Sequence, residues 1–168
     1  MTLNLIHAGE IPSYETKLNW GYGFHETMGR FFTLGGGFGK KLGSLKLINF
    51  YTAEIGFLKQ DPMNKIVRMA IYPHDYYLKL ESDFRYFPGS DVNNDNFQFY
   101  VDAGGFWIDY INFSAIGATI GFGNQTPLKK GSNKYKIEWG ILDRIHRVQP
   151  AGNNVITHNL EIYGGLSW

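Results

Sequence analysis

The sequence predicts an all-β fold: an antiparallel, up-and-down meander closed into a single β-barrel domain over residues 1–168. Three observations predict it. Apolar and polar residues alternate with period two along nearly the whole chain, and helical periodicity is almost absent. Turn-forming clusters break the alternation at short intervals, with no linker, repeat or low-complexity tract between them. The closing residues, LEIYGGLSW, still alternate at Trp168, where a chain end ordinarily frays.

Each element follows from its parity. Leu18, Trp20, Tyr22 and Phe24 alternate with Asn19, Gly21, Gly23 and His25. Phe32 to Phe38 and Tyr51 to Phe57 repeat the pattern across Met28-Gly29 and Lys41–Ser44. Val67, Met69 and Ile71 make a short run after Asp61-Pro62. Tyr76 to Tyr86 oppose Tyr77, Lys79, Glu81, Asp83 and Arg85, and Pro88–Asn96 reads as a loop. Phe97 to Trp107 and Ile116 to Phe122 follow, then a loop over Asn124–Asn133 containing Pro127. Tyr135 to Ile141, the loop Arg147–Asn154, and Leu160 to Trp168 complete nine runs. A bacterial single-chain barrel has an even strand number. Either Thr2–Ala8 adds a tenth strand or one run is no strand; the chain length favours eight strands, with ten as the alternative.

Composition narrows the function classes. Sixteen Lys and Arg balance fifteen Asp and Glu, so no electrostatic case exists for nucleic acid. With no Cys, disulfide scaffolds and thiol chemistry are excluded. No apolar run is long enough for a transmembrane helix. Met1 to His7 does not read as a signal peptide, so an exported protein is expected here in its mature form.

The same alternation fits a soluble barrel or sandwich with a buried apolar face, or a transmembrane barrel with that face in lipid. Two features favour lipid. Gly21, Gly23, Gly35, Gly37, Gly39, Gly56, Gly104, Gly121, Gly140 and Gly165 lie on the polar face, where small residues leave lumen space for long ones. Aromatics on the apolar face stand where membrane-interface girdles need them: Trp20, Tyr86, Trp107, Trp139 and Trp168.

LEIYGGLSW resembles the C-terminal strand of Gram-negative outer-membrane β-barrels, which ends in an aromatic, usually Phe; Trp168 departs from that residue type. The resemblance implies an outer-membrane location, contact with outer-membrane lipids, and recognition of the last strand by the barrel assembly machinery. A monomer is expected, with a structural, adhesion or surface-interaction role carried by loops such as Pro88–Asn96 and Asn124–Asn133.

On this reading the inward face carries an ion network: Glu54, Arg68, Lys79, Glu81, Asp83, Arg85, Asp102, Lys136 and Glu138, with Lys17 and Glu161 on the same parity. Eight strands leave little room for a pore; a small-pore, porin-like channel is the alternative that ten would favour. Lipid A deacylases, which are similar small barrels, imply His146 and Glu161 as catalytic candidates, but Val148 stands where their Ser is expected. GGGFG at 35–39 is similar to a Gly-rich strand of the lipid A palmitoyltransferases, without their His-Asp-Ser set. His74-Asp75 sits in a Pro turn, and His158 shares the outward parity, which places it near an interface. Asp91–Asp95 lacks the offsets of a calcium loop, so no metal and no cofactor are expected. Enzymatic activity is not the favoured expectation.

Overall fold

The computed structural model describes residues 14–26, 29–42, 46–59, 76–89, 97–111, 114–129, 132–148 and 155–168. Eight strands run in chain order: β1 (Tyr14–His25), β2 (Gly29–Lys41), β3 (Leu47–Lys59), β4 (Tyr76–Tyr86), β5 (Gln98–Asp109), β6 (Ser114–Lys129), β7 (Ser132–Val148) and β8 (Val155–Ser167). Each pairs antiparallel with the next, and β1 pairs with β8 to close the barrel. The expected eight strands are therefore the ones present. The run Val67–Ile71, with Arg68, and the N-terminal segment Thr2–Ala8 lie outside the described residues.

Following the register once around from Tyr14 passes Lys40, Asn49, Phe84, Ala103, Ile120, Asp143 and Leu160 and returns to β1 at Phe24, ten residues above the start. That stagger tilts the strands by roughly 35–45°. The seam explains the alternating chain end. Trp168 N–H donates to the Thr16 carbonyl at 2.9 Å, and Thr16 N–H donates to the Trp168 carbonyl at 2.8 Å. The last residue completes the sheet, so no edge is left open in this wall.

Two sequence expectations are corrected. Asn124–Asn133 is not a loop: β6 runs to Lys129 and β7 begins at Ser132. Pro127 reads as a turn signal, but it sits where the register shifts between Pro127 and Lys129, and such an irregularity tolerates a residue with no N–H. Trp20 and Trp139 are not at the barrel's ends. They flank Gly164 on one rung, well inside their strands, because β1 begins at Tyr14 and β7 at Ser132. Tyr86 and Trp168 do stand at the rim that carries the chain's C-terminus, and Trp107 stands near the opposite one.

The polarity is inverted. Ile116 is 77% exposed, Ile156 66% and Ile162 64%, whereas Arg85 is 1% exposed and Arg144 2%. Aromatics and aliphatics cover the outside of every strand. Buried apolar residues form two clusters within the lumen. One lies at the rim away from the C-terminus and includes Phe31, Leu58, Tyr77 and Tyr110; the other includes Ile48, Phe50, Phe87 and Tyr100.

Candidate functional site: the ion-paired lumen

Strand pairing decides which inward side chains meet. Glu54 of β3 faces Lys79 of β4, and Arg85 of β4 faces Asp102 of β5, as direct cross-strand partners. Others reach across the lumen, which is narrow enough for side chains to fill. Glycine makes that reach possible. A Cβ at Gly21 would meet the Thr33 hydroxyl at 2.6 Å and displace the Glu161 carboxylate. One at Gly123 would meet the Tyr100 ring at 2.7 Å, and one at Gly140 the Tyr163 hydroxyl at 2.7 Å.

Two clusters result. In the first, the Arg144 guanidinium pairs with Glu161, with Glu81 at 3.1 Å and with Glu54 at 3.6 Å. Lys79 pairs with the same Glu54 at 2.7 Å and Glu81 at 3.1 Å. Each carboxylate also accepts one neutral hydrogen bond: Asn19 donates to Glu54, Thr119 to Glu81 and Thr33 to Glu161.

In the second, Arg85 donates Nε–H and an Nη2–H to the two oxygens of Asp102 at 2.9 and 3.0 Å, and an Nη1–H to Glu138 at 2.5 Å. Its guanidinium carbon lies 3.7 Å from the Tyr100 ring centroid and 4.9 Å from that of Phe50. The Tyr100 and Tyr163 hydroxyls are 2.6 Å apart, and Tyr163 reaches Asp102 at 3.5 Å. Lys17 lies 3.9 Å from Asp83 and over the Phe50 ring. Together the two clusters hold six buried carboxylates (Glu54, Glu81, Asp83, Asp102, Glu138, Glu161) and four buried cations (Lys17, Lys79, Arg85, Arg144). Lys136 pairs with Glu15 at 3.7 Å, nearer the C-terminal rim.

His146 and Glu161 are both inside the barrel and belong to different neighbourhoods. His146 Nε2 is 3.2 Å from the Tyr110 hydroxyl and 3.2 Å from that of Thr157, and its ring centroid lies 5.3 Å from that of His25. Glu161 is held by Arg144 and Thr33. Neither faces the outer surface, where a lipid would meet the wall. His158 does face outward, 3.3 Å from Asp143, with its side chain 54% exposed. His74 and Asp91–Asp95 lie outside the described residues. Arg144 is the charged residue at the centre of the first cluster that the alternating run ending at Ile141 does not reach. Continuing the parity of Lys136, Glu138 and Gly140 through Leu142 finds it, because β7 runs on to Val148.

The wall and its filling define a class: a small up-and-down β-barrel of membrane type, apolar outside and ion-paired within. Comparison with known proteins adds fold relatives and no sequence family. No protein-family model matches the chain, and no curated protein matches it in sequence. Among solved structures it is similar to Neisserial surface protein A, with a TM-score of 0.67 over 92% of this chain and 96% of that one, at 10% identity. It is also similar to the N-terminal β-barrel domain of Pseudomonas aeruginosa OprF, with a TM-score of 0.54 over 92% and 97%, at 12% identity. Identities this low relate the folds.

Proposed function

We propose that this chain is an integral outer-membrane β-barrel with a structural or surface-interaction role and a closed lumen. The observation that carries the reading is the inverted polarity: large apolar residues stand exposed around the whole wall while charged ones are buried inside. In water that exterior would be a contiguous apolar patch far beyond what a monomer tolerates. In lipid it is the stable arrangement. The similarity to Neisserial surface protein A and the alternating strand ending on Trp168 support the outer-membrane assignment.

A surface role puts recognition on the connections between strands. With the Tyr14 end of β1 and the Ser167 end of β8 in the periplasm, the strand ends at His25, Lys59, Asp109 and Val148 stand at the outer rim, and those at Lys41, Tyr86 and Lys129 at the periplasmic one.

The test is refolding from urea into detergent micelles and, in parallel, into detergent-free buffer. A β-type circular dichroism spectrum with a heat-dependent gel shift only in detergent is expected. A soluble monomeric β-protein in plain buffer overturns the reading and favours a lipid-binding barrel. Planar bilayers should stay silent across voltages; discrete conductance steps would make the protein a channel.

A further inference from the structure

Two cations stand side by side on the outside of the wall. Arg30 of β2 and Lys59 of β3 are direct cross-strand partners. Both side chains are exposed, while their chain neighbours Phe31 and Leu58 are buried in the lumen, so both point outward. Their Cβ atoms are then about 4.5–5.5 Å apart. Among the described strand partners this is the one pair that opposes two like charges. Elsewhere opposed charges attract, as at Glu54–Lys79 and Arg85–Asp102. Like charges directly opposite weaken a sheet unless something neutralises them. Neither cation forms an ion pair with a described carboxylate, Glu26 included, which lies two residues beyond Phe24, the β1 partner of Arg30.

The pair stands where the strands leave the wall. Arg30 is the second residue of β2 and Lys59 the last of β3, at the outer rim. Two residues further in along these strands, Phe32 and Phe57 belong to a continuous aromatic rung, Tyr22–Phe32–Phe57–Tyr76, across β1 to β4. Each of the four is about half exposed. Outward aromatics of this kind collect at the boundary between hydrocarbon and headgroups. Cations beyond them reach the headgroup layer, where the anion a bilayer offers is the lipid phosphate. A single cation at a strand end needs only water around its charge. Two opposed cations gain from an anion that they share.

We propose that Arg30 and Lys59 clamp the phosphate of an outer-leaflet lipid whose acyl chains lie on the aromatic rung beneath, a site that rests on the membrane-barrel reading above. The arginine fork suits two phosphate oxygens, and the lysine ammonium supplies a point charge for a third. A phosphomonoester carries roughly −1.5 to −2 charges at neutral pH, which matches two cations better than a carboxylate does.

The experiment is the heat-dependent gel shift of the refolded barrel in non-ionic detergent micelles, with dioleoyl phosphatidic acid, oleate or inorganic phosphate added at equal concentration and fixed ionic strength. The wild-type transition should rise by several degrees with phosphatidic acid, following the logarithm of its concentration, and far less with oleate or inorganic phosphate. Replacing both cations, Arg30→Gln with Lys59→Gln, should abolish the rise. Lys59→Glu gives Arg30 a direct partner: its transition in plain detergent should equal or exceed that of wild type, and the response to phosphatidic acid should be lost. That variant decides alone if the double variant does not fold. A wild-type transition that ignores phosphatidic acid overturns the proposal, and so does a response that both variants retain, because the lipid then sits elsewhere. An equal rise with oleate removes the preference for phosphate, and an equal rise with inorganic phosphate makes this a site for a soluble anion; either overturns the lipid clamp. A barrel with no heat-dependent shift in plain detergent fails the membrane reading instead.

Discussion

The two clusters solve one electrostatic problem in different ways. Around Arg85 a single guanidinium serves Asp102 and Glu138; its orientation is fixed by a two-pronged bond and a stack on Tyr100, while the Tyr100 and Tyr163 hydroxyls hold its two carboxylates. Around Arg144 two cations and three carboxylates share partners: Glu54 and Glu81 each touch both Arg144 and Lys79. The first depends on shape. The second depends on the number of charges. Arginine is irreplaceable where a planar fork and a stacking face are used together, and less so where a point charge suffices.

The largest effect should come from removing charge at the shared cluster. Arg144→Met leaves Glu161 with Thr33 as its remaining partner and asks Lys79 to balance Glu54 and Glu81 alone. Breaking a buried pair on one side costs about 3–5 kcal/mol. Urea unfolding in detergent should show that loss, or the variant should stay at the unfolded gel position. Arg85→Lys tests shape directly. It keeps the charge but loses the fork to Asp102 and the stack on Tyr100, a loss of about 1.5–3 kcal/mol. Arg144→Lys, by the same measurement, should lose less. If the two lysine variants are equally destabilised, the distinction between shape and number is wrong.

Tyr163→Phe is a finer probe. It deletes a hydroxyl that meets Tyr100 at 2.6 Å and Asp102 at 3.5 Å while keeping the ring beneath Gly140. A loss of about 1 kcal/mol is expected, as for one buried hydrogen bond. A loss as large as that of Arg85→Lys would mean that the phenols, rather than the arginine fork, hold this cluster together.

Parity made much of this architecture legible. Period-two alternation separates Lys79, Glu81, Asp83 and Arg85, now inside, from Leu78, Leu80, Phe84 and Tyr86, now outside, with no structural input. Partnership was not legible. Which inward residues meet depends on register, and register depends on the ten-residue stagger that only closure defines. Asp102 could face Arg85 or a neighbour two residues away without altering a single parity. Strand ends were also hidden. Pro127 looks like a turn and is a sheet irregularity, and Leu142 to His146 mixes outward Asp143 with inward Arg144 and His146 just where the apolar signal fades.

The smallest effect should come from an ion pair whose members face outward on β7 and β8, Asp143 and His158. Asp143 stands on the wall between Ile120 of β6 and Leu160 of β8, and His158 reaches it from the adjacent strand. Unlike the lumen pairs, both of its side chains remain substantially exposed. Pairs of that kind contribute about 0–1 kcal/mol, and a carboxylate on a lipid-facing wall is unfavourable in itself. Asp143→Leu should therefore unfold within about 1 kcal/mol of wild type, on the stabilising side when measured in bilayers. The same substitution logic applied inside, at Asp102, should cost several times more, because there the lost carboxylate leaves Arg85 buried with Glu138 alone. If Asp143→Leu is as damaging as a lumen variant, the outer pair is bound to something other than lipid, and the wall between β6 and β8 becomes a contact surface.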